Sequence, residues 1–446
     1  MNILERKAQQ AVEIAQSLGA NMSEAYLETA KELNVEVSYQ QVEAMKFADS
    51  QGLGMRVIIN DKVGFAYNSD LSEEAMVATV KQAIANAEKN HIDEFNVLPK
   101  PSSSYPKLSL LDSSIHETSI EEKIYLAKSI EKEAMAFDPR VKIIENCTYQ
   151  DAVYSIALAN SNGITNSYEG AYCGAYAYLV AEENGDSQTG FSLDYSLSFK
   201  KLDPAKIGRK AAFRAVNMLG AKEIRTQKST VVLDPYVATN FLGIIAPSLS
   251  AEAVQKDKSI FAGKKGKKVS SDVITIVDDG TMEGAILSAP FDGEGIATSE
   301  TVLIKDGILQ NYLYNSYAAC KEGVESTGNG IRSSFKSTPE IGTTNFFIKP
   351  GQKTKEQLIE EIPKGLYVTE VMGMHTANLI SGDFSVGAAG ILIENGKLTT
   401  PVRGVAIAGN VFTLLENIDS IANDLTFFVG SGSPTIRIAN MTISGI

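Results

Sequence analysis

Apolar positions along the first third of the chain switch between two periods. At residues 3–18 they fall at Ile3, Leu4, Ala8, Ala11, Val12, Ala15 and Leu18, the spacing of one helix face, and Gly19 follows as a stop. Leu33, Val35, Val37 and Tyr39 then alternate with polar residues, as in a half-buried strand. Residues 55–59 and 63–67 flank Asn60-Asp61-Lys62, which predicts a hairpin. Ser72 stands where it caps a helix over 73–89, whose acidic first turn suits the helix dipole.

Residues 91–108 carry three prolines and three consecutive serines, the composition of an extended connector. Ser119 and Glu122 form a capping box that opens a second long helix, ended near Phe137 by Pro139. Strands are predicted at 141–147, 153–159, 164–168, 172–181 and 189–193, turning at Asn162-Gly163 and Asn184-Gly185. Pro204 starts a helix that runs to Leu219, before Gly220. From Ser229 onward the pattern is strand and turn, with a strand at 230–233 and a helix at 236–245. Only 354–362 is a clear helix after that. Turn pairs recur at Asp279-Gly280, Asp306-Gly307, Asn395-Gly396 and Gly409-Asn410. The expectation is an α+β chain. Helices pack on an antiparallel sheet in two parts, 1–98 and 111–225, joined by a linker at 99–110, and a β-rich, barrel-like domain follows at 226–446.

Residues 365–397 are the stretch around which a cleft would form. Leu366, Val368 and Val371 give way to Gly373, and Gly382-Asp383, Gly387 and Gly390 precede Ile391-Leu392-Ile393. This reads as strand, glycine-rich turn, strand and hairpin, because glycine takes positive φ and admits a close backbone. His375, one of three histidines, lies in the turn with Asn378.

At 446 residues the chain exceeds a single core, and its mean hydropathy of −0.06 is that of an ordinary globular protein. There is no apolar run of spanning length, so no membrane segment is expected. Charges at residues 5–7 interrupt any signal-peptide pattern, which points to a cytoplasmic location. Cys147, Cys173 and Cys320 are too scattered for a disulfide framework or a thiolate zinc cage. A net charge of −13 argues against direct nucleic-acid binding, and the run Lys264 to Lys268 reads as a solvated loop.

Candidate chemistry is sparse. His116-Glu117 begins like a zinc-binding HExxH helix, but Ile120 stands where the second histidine belongs. His91 reads as a surface residue and Cys320 as a buried, inert thiol. Gly430-Ser431-Gly432-Ser433 lacks the G-x-S-x-G fingerprint, and Gly328-Asn329-Gly330 opens no helix. Asp278-Asp279 and Glu182-Glu183 read as solvated turn carboxylates. A β-rich domain with exposed edges beside glycine turns can accept an extended peptide through main-chain hydrogen bonds.

Several short segments, in this order, resemble the TldD/PmbA family of peptidases and modulators of DNA gyrase. They are Gly52-Leu53-Gly54-Met55-Arg56-Val57, Gly64-Phe65-Ala66 and Asp70-Leu71-Ser72, then Val277-Asp278-Asp279-Gly280-Thr281 and Phe291-Asp292-Gly293-Glu294-Gly295. Ser326-Thr327-Gly328-Asn329-Gly330 and Ile393-Glu394-Asn395-Gly396 complete the set. The resemblance implies the fold expected above and assembly of two branches, of which the TldD branch binds zinc through HExxxH and a C-terminal cysteine. Here Gly243, Ile244 and Ser248 stand in the places of His, Glu and His, and 423–430 contains no cysteine. The chain is thus similar to the PmbA (TldE) branch.

What the resemblance implies for function is a subunit of a TldD/TldE-type metallopeptidase that processes unfolded or extended peptides. No cofactor is then expected in this chain, and zinc is expected in a TldD-like partner. Gly373, His375, Asn378, Gly382, Asp383 and Gly387 would line the peptide chamber, with His375 a contact rather than a catalyst. Two other expectations stand beside it. One is a self-sufficient homodimeric hydrolase using His375 with Asp383 or Glu370. The other is a peptide-binding or gyrase-modulating protein without hydrolysis.

Overall fold

The protein is described over residues 2–446 of a computed structural model. Helix α1 (Ile3–Ser17) is capped at its start by Asn2, and Ser72 caps α2 (Glu73–Glu88). Between them run β1 (Met22–Ser38), β2 (Gln41–Ile59) and β3 (Lys62–Asn68), the last two joined through Asn60 and Asp61 at φ 48° and 62°. A single helical turn, α3 (Ser114–Glu117), and the capping-box helix α4 (Ile120–Phe137) precede β4 (Val141–Asn160), β5 (Thr165–Glu183), β6 (Asp186–Ser196) and α5 (Pro204–Asn217).

Both α/β parts share one antiparallel sheet, ordered β3-β2-β1-β4-β5-β6, because β1 pairs with β4 from Glu24↔Asn160 to Val37↔Cys147. The breaks predicted within β4 and β5 are absent. Residues 148–151, which lie between two of the predicted strands, continue β4 without a turn, although the Thr148 hydroxyl is buried there without a hydrogen bond. Asp151 accepts Tyr149 Oη (2.7 Å) and bridges to Lys123 of α4 (2.6 Å). A buried polar group satisfied in this way reads like a loop in a hydropathy pattern.

Side chains alternate across the sheet. Ala25 and Leu27 of β1 face the helices, while Glu24, Tyr26 and Glu28 face the C-terminal domain. That domain begins with β7 (Gln227–Leu233), α6 (Pro235–Ser248) and α7 (Ala251–Gln255). A second sheet contains β8 (Ile276–Asp279), β9 (Glu300–Lys305), β10 (Ile308–Leu309), β13 (Phe346–Ile348), β18 (Thr426–Phe428) and β19 (Ser431–Ser433). Helix α8 (Ser316–Glu322), the small pair β11 (Gly330–Ile331) and β12 (Glu340–Ile341), and α9 (Lys355–Glu360) fill the connections.

The remaining strands are β14 (Lys364–Met372), β15 (Asp383–Glu394), β16 (Lys397–Asn410), β17 (Ile418–Ile421) and β20 (Ile436–Ser444), with α10 (Val411–Asn417) after β16. The order β16-β15-β14-β7-β20 closes on itself through Ala406↔Ser444 and Ile407↔Ile443, giving a five-stranded barrel. The fold is therefore α+β with a barrel-containing C-terminal domain. Apolar on nearly every side, α6 lies between the barrel and the second sheet. The short helices α7, α8 and α10 are additional to the prediction. Each is too brief to show a period, and Asn410, expected in a turn, caps α10 instead.

The connector 91–108 contains no helix or strand. It is strapped to the C-terminal domain all the same. Ser102 Oγ accepts from Ala297 N (3.0 Å), and Tyr105 donates to Gly295 O (3.1 Å).

Gly52 and Gly54 on β2 receive the C-terminal domain. A Cβ on Gly52 would lie 2.2 Å from Phe335 Cε2, and one on Gly54 2.2 Å from Phe335 O. Phe335 N donates to Glu28 at 3.0 Å, so the ring has no easy retreat. Gly52→Ala is expected to destabilise the fold by about 1–3 kcal/mol through overpacking. The double variant with Phe335→Ala should lose less than the sum of the two single variants in urea unfolding. Strict additivity would mean that the two residues are not in contact.

Candidate functional site

Strand β14 ends at Met372, and Gly373 then turns the chain at φ 83°, a conformation open to glycine, into the 3-10 turn Met374–Thr376. Asn378 closes the loop. Its side-chain oxygen accepts from Ile380 N (2.9 Å) and Ser381 N (3.0 Å), and its carbonyl accepts from Gly382 N (2.8 Å). Asp383, at the start of β15, accepts from Asn410 Nδ2 (2.9 Å) and Ser381 Oγ (2.7 Å). These two bonds hold its carboxyl below its ordinary value. Gly387 lies inside β15 opposite Met372. His375 is exposed and, among the described residues, makes no hydrogen bond or ion pair, whether to Asp383, Glu370 or another group. Met372, Leu379 and Ile380 are 55%, 47% and 53% exposed, an apolar fringe on an otherwise polar loop.

The loop meets α6 at one point. Ser248 is buried, and its hydroxyl donates to Leu379 O at 3.1 Å. Ile244 is buried in the core shared by barrel and second sheet, whereas Gly243 is exposed with open space where a side chain would stand. Position 243 therefore offers no donor atom, position 244 offers a hydrocarbon, and the hydroxyl at 248 is already engaged. These residues do not fit a zinc ion. Among the described residues, no group of three or more His, Cys, Asp or Glu is arranged to hold a metal. His91 and His116 are both exposed.

The charged chemistry lies elsewhere, in the segments that carry the resemblance. Arg56 of β2 binds Glu24 of β1 through Nε (3.1 Å) and Nη2 (2.9 Å), and Nη2 also reaches Glu294 Oε1 (3.3 Å). Arg332 donates to the same Glu24, to Gly293 O (2.7 Å) and to Ser337 O (2.6 Å). Glu294 accepts Ser316 N at 2.7 Å. Glu24 and Glu294 are fully buried. Beside them, Asp292 accepts the amides of Gly330 (2.8 Å), Glu294 (2.9 Å) and Ile296 (3.0 Å). Asp278 accepts Asn329 Nδ2 (2.7 Å) and both the amide (2.7 Å) and hydroxyl (2.9 Å) of Thr344. Four of the resembling segments, around residues 54, 278, 292 and 329, thus converge on one interdomain contact beside a 190 Å³ cavity walled by Tyr26, Tyr154, Tyr168 and Phe291.

Two expectations are corrected here. Asp278 is buried and triply hydrogen-bonded, not a solvated turn carboxylate, because β8 runs through the middle of the second sheet. Cys320 is exposed, not buried, since α8 lies on the surface with the cysteine on its outer side. Glu183, by contrast, is exposed at the end of β5 and pairs with Arg140 (3.2 Å). Sequence reasoning passed over the cluster as such. Asp292 and Glu294 flank Gly293, as turn acids do, and Glu24 and Arg56 are separated in sequence from Glu294 and Arg332 by whole domains.

Burial first, and then the Glu294 carboxylate, push Asp292 from its ordinary 3.8 up to about 7. A carboxyl held up in this way binds its proton more tightly in the folded chain than in the unfolded one. Its contribution to stability is therefore complete below the unfolded value and is lost as pH rises through about 7. The urea midpoint should fall between pH 5 and pH 8, and Asp292→Asn should flatten that fall. An undiminished fall in the variant would assign the titration to another group.

Comparison with known proteins bears on the same segments. Family models described as the PmbA/TldA metallopeptidase domain 1, central domain and C-terminal domain match residues 23–87, 114–219 and 226–445. The chain is 29% identical over 447 aligned positions to a protein of Escherichia coli O157:H7 named metalloprotease PmbA, covering 99% of this chain and 96% of that one. A crystal structure from Thermotoga maritima, described as a candidate modulator of a DNA gyrase, superposes with a TM-score of 0.91 at 26% identity, covering 99% of this chain and all of that one. TldE from Thermococcus kodakarensis shares the fold, with a TM-score of 0.92 at 24% identity over 98% of this chain and all of that one. With all three domains matched in order along nearly its whole length, the chain belongs to the PmbA/TldD metallopeptidase family.

Proposed function

We propose that this chain is the PmbA/TldE-like subunit of a two-subunit metallopeptidase of the cytoplasm. It carries no zinc itself and helps to hold unfolded or extended peptides for a zinc-bearing TldD-like partner. The observation that carries the reading is the chemistry of α6. A chain that matches the family end to end has Gly243, Ile244 and Ser248 where the metal-binding branch has its zinc motif, and neither glycine nor isoleucine can ligate zinc or deprotonate water. No helix among the described residues is long and apolar enough to cross a membrane, which agrees with a subunit free in solution.

In this reading the loop 373–387 faces the shared chamber. Met372, Leu379 and Ile380 supply apolar contact to an extended chain, while the end of β14 beyond Val368, where its pairing with β7 stops, supplies main-chain hydrogen bonds. Asn378 and Asp383 hold the loop's shape, and His375 is a contact at its tip.

The test is reconstitution. Zinc content and cleavage of an unfolded casein substrate would be measured for this chain alone, for a TldD-like subunit alone and for the mixture. Zinc and chelator-sensitive cleavage are expected in the mixture, with the metal accounted for by the partner. Stoichiometric zinc and cleavage by the isolated chain would overturn the proposal. In the active mixture, His375→Ala should leave kcat within about twofold, whereas Ile380→Asp should raise KM severalfold with zinc unchanged. A loss of kcat by orders of magnitude in His375→Ala would instead favour the self-sufficient hydrolase.

A further inference from the structure

Strand β2 has neighbours on both sides for only part of its length. Strand β1 runs beside all of it, from Ser38↔Gln41 to Met22↔Ile58, but β3 joins only at Leu53↔Asn68. Just before that point, Gly52 receives the Phe335 ring. Among the described residues no strand lies along the outer side of 41–51, and all of these residues are exposed except the half-buried Ala44. In an antiparallel ladder such a side presents a row of unpaired N–H and C=O groups. Met45 and Phe47 on this stretch are 54% and 67% exposed. Their cross-strand neighbours Val35 and Leu33 are buried in the core that includes α4, whereas Met45 and Phe47 lie beyond its cover.

The hairpin is not a loose arm. Gln40 N donates to both carboxylate oxygens of Glu131 on α4 (3.0 and 3.1 Å), and Gln40 Nε2 donates to Lys128 O (2.9 Å). Strand β5 in the other half of the sheet outruns its neighbour in the same way, since β6 pairs with it only from Cys173↔Ser196 onward. There the chain closes the edge itself: Ala171 N donates to Leu110 O (2.8 Å), and Ser167 Oγ accepts from Asn2 Nδ2 (3.0 Å). The edge of β2 has no such cover. Its bulge, at Glu43, falls near one end, so the ladder from Ala44 to Ser50 is regular and is centred on Phe47.

We propose that this edge pairs antiparallel with the same edge of a second copy of the chain, about a two-fold axis that passes through Phe47 normal to the sheet. An identical edge brings the same length, twist and unpaired groups, and an isologous contact needs no complementary surface elsewhere. The axis sets Phe47 against Phe47, Met45 against Asp49, Lys46 against Ala48 and Ala44 against Ser50. No like charges stand directly opposite each other, whereas an axis at Lys46 opposes two ammonium groups. Glu43, Lys46 and Asp49 are the charged residues of 41–51, so this edge is nearly neutral in a chain of net charge −13. The pairing uses no residue of the loop 373–387 and holds whether or not the chain has a catalytic partner.

The test is sedimentation of the full chain over a range of concentrations, with hydrogen exchange measured on the same samples. A species of twice 48.0 kDa is expected to grow with concentration, and amides between 44 and 50 to exchange more slowly as it does. Phe47→Asp and Phe47→Lys should each weaken the dimer by about tenfold or more, because each opposes two like charges at the axis. Their equimolar mixture should recover it through an Asp–Lys pair. The Phe47 side chain is exposed, so both variants should keep the thermal unfolding of the parent. A single 48.0 kDa species at every concentration up to the millimolar range would overturn the proposal. So would a dimer indifferent to both substitutions, a mixture that fails to recover, or protection of 44–50 that appears only when a different protein is added. Neither zinc nor peptide cleavage is read in this experiment, so its failure and the failure of the peptidase reading are distinct.

Discussion

Two carboxylates and two guanidinium groups, Glu24, Arg56, Glu294 and Arg332, lie buried between the sheet and the C-terminal domain. Removing an ion from water costs several kcal/mol, and the cost is offset only where charges balance and remaining hydrogen-bonding capacity is used. Here the balance is two against two, and Gly293 O, Ser337 O and Ser316 N take up further bonds. Loss of any one member would leave the buried cluster with an unbalanced charge, a defect of about 3–5 kcal/mol where the remaining charge has no other partner. The cluster therefore acts as an all-or-nothing check that the two halves of the chain have met in one relative placement.

Much else follows from that placement. Glu24 faces the C-terminal domain only if β1 keeps its register, because a slip of one residue would turn every side chain to the opposite face. The loops at 291–297 and 326–337 have little secondary structure and are shaped by the amides and carbonyls they give to Asp292, Asp278 and Arg332. With the domains so fixed, α5 comes to lie beside the barrel, and the gap left between them is a cavity whose lining includes Lys210 and Glu370. The sheet, the charged contact and the cavity are consecutive consequences of one docking geometry.

The site region shows how burial can close off chemistry. Helix α6 is wedged between the barrel and the second sheet, so Ile244 contributes apolar area to the core, and the Ser248 hydroxyl is used to anchor Leu379 of the neighbouring loop. This part of α6 is a packing seam that supports the loop. Such loops are where binding residues concentrate when a rigid scaffold holds them, and β14 and β15 provide the scaffold here.

Local determinants were legible in the chain itself: the caps at Ser72 and Ser119, the Asn60-Asp61 and Asn184-Gly185 turns, the period of α1, and the barrel-forming β-rich composition after residue 226. Each depends on neighbours within a few residues, where backbone sterics and short hydrogen bonds decide the outcome. Only the tertiary structure decided that Thr148 to Asp151 continue a strand, that Asp278 is buried, and that Arg56 meets Glu294 across 238 residues. A charged residue looks the same in sequence whether water or a distant partner solvates it. Burial and pairing are long-range events, and no local pattern encodes them.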